Sequence, residues 1–119
     1  MRGEVTMLDC IFCKIVNKEI TAKVIYEDEG ILVFHDLEPQ APVHVLMISK
    51  KHIASLDDVQ EDDQELLGYM VLKVKEIAKQ LDLENGYRVV INCGQDGLQT
   101  VQHLHFHILG KRKMLWPPG

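Results

Sequence analysis

Five residues near the C-terminal end of the chain, His103-Leu104-His105-Phe106-His107, place an imidazole at every second position. In an extended strand successive side chains alternate, so the three imidazoles share one face while Gln102, Leu104, Phe106 and Ile108 take the other. The apolar face is expected to pack and the histidine face to work. A neutral imidazole attacks phosphorus well when one nitrogen is unprotonated and an acceptor holds the hydrogen of the other. A central histidine flanked by two more supplies that arrangement. His105 is the expected nucleophile, His107 can donate to the phosphoryl oxygens, and water would resolve a phosphohistidine. Gln99 and Thr100, just before the run, are placed to hold a non-bridging oxygen or the leaving group.

Two other readings of the run compete. A half-exposed strand can carry histidines by chance, although histidine is uncommon there. A three-histidine zinc site is the sharper rival, but His103 and His107 would lie roughly 13 Å apart at ~3.4 Å per residue. Zinc–nitrogen bonds of about 2.0–2.1 Å would let at most two neighbours share one ion, leaving another histidine free for different work.

A better metal grip is Cys10-Ile11-Phe12-Cys13, whose spacing lets two thiolates hold one zinc. A tetrahedral site needs two further ligands, for which His52 and His103 are available. The alternatives are a buried apolar pair and a redox pair, the latter expecting a thioredoxin-like setting absent here. Cys93 is not expected to join the site.

The elements that must position these residues fit one small domain, residues 1–119. The 119 residues are 46% hydrophobic, enough for one core and too few for two. Thirteen Lys and Arg against 18 Asp and Glu give a formal charge of −5, and the longest basic runs are Lys50-Lys51 and Lys111-Arg112-Lys113. A nucleic-acid partner is therefore not expected. Neither the opening MRGEVTMLDCIF nor any later stretch has the apolar length of a leader or a span, so we expect no membrane and a cytoplasmic location. Three cysteines without an export signal argue against a disulfide framework.

Residues 10–17 read as a short helix. Lys23–Tyr26 and Ile31–Phe34 flank a Gly-containing turn and read as a hairpin, followed by a third strand over Val43–Ile48 with His44 alone on it. The strongest helical periodicity runs over residues 62–81, with Asp62 and Glu65 as a capping pair and Asn85-Gly86 as the stop. Tyr87–Asn92 and Val101–Leu109 complete the strands around a turn at Gly94–Gly97. The class expected is α+β, a meander antiparallel sheet with one long and one short N-terminal helix.

With H-L-H-F-H-I-L, F-H-D at 34–36, Q-A-P-V-H at 40–44, K-K-H-I at 50–53, G-Y-R-V-V-I-N at 86–92 and the terminal W-P-P-G, the chain resembles the histidine triad nucleotide-binding family. W-P-P-G points to its Hint branch. The resemblance covers nearly the whole chain. It implies a homodimer that continues the sheet across its interface, purine nucleotide binding, and hydrolysis of the phosphorus–nitrogen bond in adenosine phosphoramidates without a catalytic cofactor. His105 takes the nucleotidylated role. Asp36 would hold the ribose hydroxyls, and Ile20 and Phe34 would line the base pocket. Asn92, Gln99, Thr100 and His107 would contact phosphate. His44 would support the histidine network and Trp116 would reach toward the partner's site. By the same resemblance a structural zinc sits on Cys10, Cys13, His52 and His103, buttressing the active strand. Leu98 departs from the family pattern, which has Gly there. If that position needs positive φ, or a close approach of backbone to phosphate, Leu strains the loop or narrows the leaving-group side.

Two functions remain in competition. A phosphoramidate hydrolase needs the nucleophile, whereas a nucleotide-binding regulator with incidental turnover needs only Asp36 and the apolar pocket.

Overall fold

Near-continuous apolar runs over the central strands place apolar side chains on both faces of one sheet, and each face has its own cover. In the computed structural model, which describes residues 9–119, the order is α1 (Ile11–Val16), β1 (Val24–Glu27), β2 (Ile31–His35), β3 (Val43–Ser49), α2 (Gln64–Gln80), β4 (Tyr87–Val90) and β5 (His105–Gly110). Two 3₁₀ turns, Leu56–Asp58 and Glu61–Asp63, lead into α2. Met1–Leu8, most of the segment read above for a leader, lie outside the described residues. The five strands run antiparallel in the order β1-β2-β3-β5-β4, as an α+β architecture requires of short hairpins around one long helix.

Register decides what faces what. Leu46 pairs with Phe34 and His107, and Ile48 pairs with Leu32 and His105. Directly paired residues share a face, so Leu32, Phe34, His44, Leu46, Ile48, His105 and His107 stand together. Ile31, Val33, Val45, Met47, Phe106 and Ile108 take the opposite face and bury against Met70, Val74, Ile77 and Ala78 of α2. The histidine face is covered by Phe12, Cys13 and Ile15 of α1. Because α1 has only six residues, it covers part of that face and leaves a cleft over the rest.

Three boundaries and one stop signal differ from the sequence expectation, each for a local reason. The final strand begins at His105, not Val101, because Val101–His103 bend: the His103 amide bonds the Val101 carbonyl, and Leu104 N–H bonds Ile53 C=O at 2.7 Å. His103 therefore leaves the strict alternation, and the histidine face is buried rather than open. β4 stops at Val90, which puts Asn92 in the loop. α2 is entered through Asp63, whose carboxylate accepts the Gln60 amide at 2.9 Å and pairs with Lys51, rather than through Asp62 and Glu65. It ends at Gln80 with Leu81 as its cap, where the periodicity places the end, but the stop is not Asn85-Gly86. Asp82 at φ 60° lets the Leu83 amide bond Ala78 C=O and its own amide bond Lys79 C=O. That double bond is a Schellman termination, with Asp in the left-handed position that Gly or Asn more often fills. Among the described residues no helix is long and apolar enough to cross a membrane.

Candidate functional site

Each of the three histidines of the run meets a different environment. His105, on β5, is buried, and its Nδ1–H donates to the carbonyl of His103 at 2.6 Å. That bond fixes the tautomer: the remaining nitrogen, Nε2, carries the lone pair. Burial holds the imidazole below its ordinary pKa, so the lone pair is present at neutral pH. The ring of Phe12 meets His105 edge-on at a centroid distance of 5.1 Å, which ties α1 to the orientation of the His105 ring.

His107 faces His44 across the register: His44 Nε2 and His107 Nδ1 lie 2.9 Å apart. Burial, with the neighbouring His105 and His44 rings, pushes His107 down to about 4. His44 is lowered by burial, against a smaller opposing pull from Asp36. Both rings are thus neutral near pH 7. Asp36 Oδ2 stands 3.4 Å from His44 Nε2, and Asp36 Oδ1 accepts the Glu38 amide at 2.8 Å.

His103, the third, turns away from the cleft. Its Nε2–H donates to Ser49 C=O at 2.7 Å, leaving Nδ1 as a lone pair. Around that nitrogen stand Cys10 Sγ at 3.3 Å, Cys13 Sγ at 3.6 Å and His52 Nδ1 at 3.2 Å. Cys13 Sγ lies 3.2 Å from His52 Nδ1. Bond lengths of about 2.0–2.3 Å to a tetrahedral zinc imply ligand-to-ligand edges of roughly 3.3–3.8 Å, close to this set. His52 Nε2 is buried with no hydrogen-bond partner. With its hydrogen on Nε2, His52 adds a fourth electron-rich atom to the set, an arrangement that suits a cation. Without one, burial and then Cys10 push the Cys13 thiol up to about 12. The donor set fits zinc.

The cleft beside His105 has a volume of about 500 Å³. Ile20, Phe34, Asp36, Thr100, His105 and His107 line it together, so six of the residues singled out from sequence meet at one place. The matching family description is "Scavenger mRNA decapping enzyme C-term binding", over residues 9–116. An uncharacterized HIT-like protein of Synechococcus elongatus is 53% identical over 93% of this chain and 97% of its own. A HIT family hydrolase from Legionella pneumophila Philadelphia 1 superposes with TM-score 0.91 at 51% identity, covering 93% of this chain and all of that one. The chain belongs to the histidine triad family. More distant structures are a histidine triad nucleotide-binding protein from Candida albicans (TM-score 0.80, 36% identity, 88% of this chain and 76% of that one) and a zinc-bound family protein from Mycobacterium smegmatis (0.76, 31%, 90% and 78%).

In this histidine triad protein two residues expected at the phosphate stand apart from the six above. Asn92 and Gln99 do not line the cleft. Gln99 is buried and its side chain is fully engaged: Nε2 donates to Ala54 C=O at 2.8 Å and Val101 C=O at 3.0 Å, while Oε1 accepts the Gly94 amide at 3.1 Å. It clasps the loop that presents Thr100, a role a glutamine's three-way hydrogen bonding suits. Trp116 is 82% exposed beside Arg88, whose guanidinium lies 5.9 Å from the indole. Phe12 was missed; its place inside C-x-x-C at the head of an amphipathic helix was the available signal. Ser49 was missed as well, because its contribution is a carbonyl that sequence does not mark.

Leu98 does adopt the left-handed conformation, at φ 62°, with its side chain 73% exposed and outside the cleft lining. It strains the loop rather than narrowing the site. The left-handed region costs a branched residue roughly 1–2 kcal/mol, against about 0.5–1 kcal/mol lost to glycine's unfolded freedom. Leu98→Gly should therefore raise the melting temperature slightly; a lower one in calorimetry would contradict this balance.

Proposed function

We propose that this protein is a hydrolase of purine nucleoside phosphoramidates, of the adenosine 5′-monophosphoramidase type found in the Hint branch. The carrying observation is the bond from His105 Nδ1–H to His103 C=O, which leaves an unprotonated Nε2 at a cleft with an apolar pocket and a carboxylate. In the first step Nε2 bonds to the α-phosphorus. The phosphorus–nitrogen bond breaks, its electron pair leaving with the amine, which takes a proton from the network at His107. In the second step water bonds to phosphorus and the bond to Nε2 breaks. Nucleoside monophosphate leaves, the proton lost by water returns to the network, and His105 is neutral again. Thr100, exposed at the cleft, is suited to a phosphoryl oxygen.

Ile20 and Phe34 offer an apolar seat for the purine, and Asp36 a charged acceptor for the sugar. The Legionella hydrolase and the Candida nucleotide-binding protein support this reading. A nucleotide-binding regulator with incidental turnover would use the pocket and Asp36 equally, yet it has no need of a buried imidazole with one nitrogen held and the other free.

Zinc on Cys10, Cys13, His52 and His103 would be structural. It would supply charge neutralisation and cross-link α1, the loop after β3 and the bend before β5, with no open position for substrate. His103 would then ligate through its ring while its carbonyl orients His105. We further assign the molecule to a homodimer. Among the described residues the outer edge of β4 is unpaired, Tyr87 and Val89 on it are exposed, and Val71 and Leu72 stand exposed on α2. Trp116 is then available to the partner's site.

Asp36→Ala tests the sugar assignment. Hydrogen bonds to a charged acceptor contribute about 1.5–3 kcal/mol each, so KM for a ribonucleoside phosphoramidate should rise at least ~10-fold. KM for the 2′,3′-dideoxy analogue should barely move. Equal losses for both substrates would remove Asp36 from the ribose.

A further inference from the structure

The paired imidazoles His44 and His107 can in principle be protonated in either order. With the order reversed, a lone pair rather than a hydrogen would face the cleft. A group outside the cleft settles the choice. The backbone amide of Gln40, which can only donate, points at His44 Nδ1 from 3.0 Å. That nitrogen must therefore accept, and a neutral His44 carries its hydrogen on Nε2. The Nε2–H then faces His107 Nδ1 at 2.9 Å, with Asp36 Oδ2 as a second acceptor at 3.4 Å. His107 Nδ1 accepts in turn, so its own hydrogen sits on Nε2.

We propose that the Gln40 amide is a positioning group that sets this polarity and makes His107 a proton donor to the substrate. The use of that proton rests on the phosphoramidase reading; the polarity does not. His105 carries the opposite arrangement, with its hydrogen on Nδ1 and its lone pair on Nε2. Two imidazoles with ring centroids 5.0 Å apart on one strand thus hold an acceptor and a donor. One nitrogen is shaped to attack and the other to give up a proton.

The amide is itself held in place. The Gln40 carbonyl accepts from Arg112 Nε at 2.9 Å, its side-chain Nε2 donates to Glu38 C=O at 3.0 Å, and the Asp36 amide bonds His44 C=O at 3.0 Å. Arg112, just past β5, therefore braces the turn between β2 and β3 from outside the cleft. The same order of hydrogens argues against a second metal. Asp36, His44 and His107 bring ligand atoms within 4.8 Å of one another. However, a cation would have to take the Nε2 hydrogen of His44 while the Gln40 amide still occupies Nδ1.

The test is imidazole ¹⁵N NMR on the full chain, read alongside steady-state kinetics. In the wild type both His44 and His107 should carry hydrogen on Nε2, with a nitrogen–nitrogen coupling from His44 Nε2–H to His107 Nδ1. Gln40→Pro removes the donor hydrogen, whereas Gln40→Ala keeps it. The Pro variant should lose that coupling and at least tenfold more kcat than the Ala variant, with KM for the two within a few-fold of each other. A hydrogen on Nδ1 of either wild-type ring overturns the proposal, and this result does not depend on whether the Pro variant folds. Equal kcat in folded Pro and Ala variants overturns it as well. Nε2–H on both rings in a protein that turns over no phosphoramidate would count against the proposed reaction and leave the polarity standing.

Discussion

His105→Asn is expected to reduce phosphoramidate turnover by a factor on the order of 10³ or more, as removal of a covalent nucleophile does, while nucleotide affinity changes only a few-fold. The reasoning is local. The substitution removes Nε2, the nitrogen that the Nδ1 bond leaves unprotonated, and it leaves Phe34, Ile20, Asp36 and Thr100 where they are. Asparagine also keeps an amide near the position of Nδ1, so the bond to the His103 carbonyl has a replacement donor and the strand need not move. Calorimetric titration with nucleoside monophosphate beside a turnover assay separates the two effects. Should the variant keep more than about a tenth of the wild-type kcat, attack by His105 is excluded.

Removal of the metal is expected to give the largest effect on stability. Energy gained only in the folded site adds to folding, and a zinc site closed by four ligands commonly contributes several kcal/mol. For a domain near this size about 3 kcal/mol corresponds to a melting-temperature loss on the order of 10 °C. Cys10→Ser and Cys13→Ser should each bind no zinc at stoichiometric metal, show that loss, and turn over substrate at low temperature. His105→Asn should retain about one zinc per chain, because its ring takes no part in the cluster. Metal analysis with thermal unfolding, with and without a chelator, measures all of this. Protein that contains no zinc and takes up none when supplied contradicts the site. So does metal removal that stops catalysis in a chain still folded by circular dichroism, since a structural ion leaves the nucleophile in place.

What could be read from sequence was whatever side-chain type and period encode. The His-x-His-x-His run, the C-x-x-C pair, the hairpin over β1 and β2 and the long helix carry their signals in residue identity. Cys10, Cys13, His52 and His103 converge although up to 93 residues separate them; the C-x-x-C spacing marked the first two, and the resemblance to the histidine triad family supplied the full set. What was not legible depends on backbone. The bend at Val101–His103 takes His103 out of the alternation, and it is made by main-chain bonds to Val101 and Ile53. The end of α2 at Asp82 is a left-handed residue whose conformation its type permits but does not announce. Gln99 was read as a phosphate ligand because an exposed-looking amide before a catalytic run suits that role. Of the three groups it satisfies, the Gly94 amide and Val101 carbonyl lie close in sequence, and the Ala54 carbonyl is brought to it by tertiary contact. The Gln40 amide is invisible for the same reason: every residue but proline has one.

The proposed reaction turns on the bond between His105 Nε2 and phosphorus, and trapping that bond tests it. The zinc-loaded protein is mixed with an adenosine phosphoramidate, quenched during turnover under conditions that preserve phosphohistidine, and weighed intact. A species heavier by one adenylyl group is expected, mapping to His105 on digestion and lost with time as monophosphate accumulates. Product formation with no adduct at any quench time, or an adduct on another residue that turns over at the catalytic rate, would contradict it.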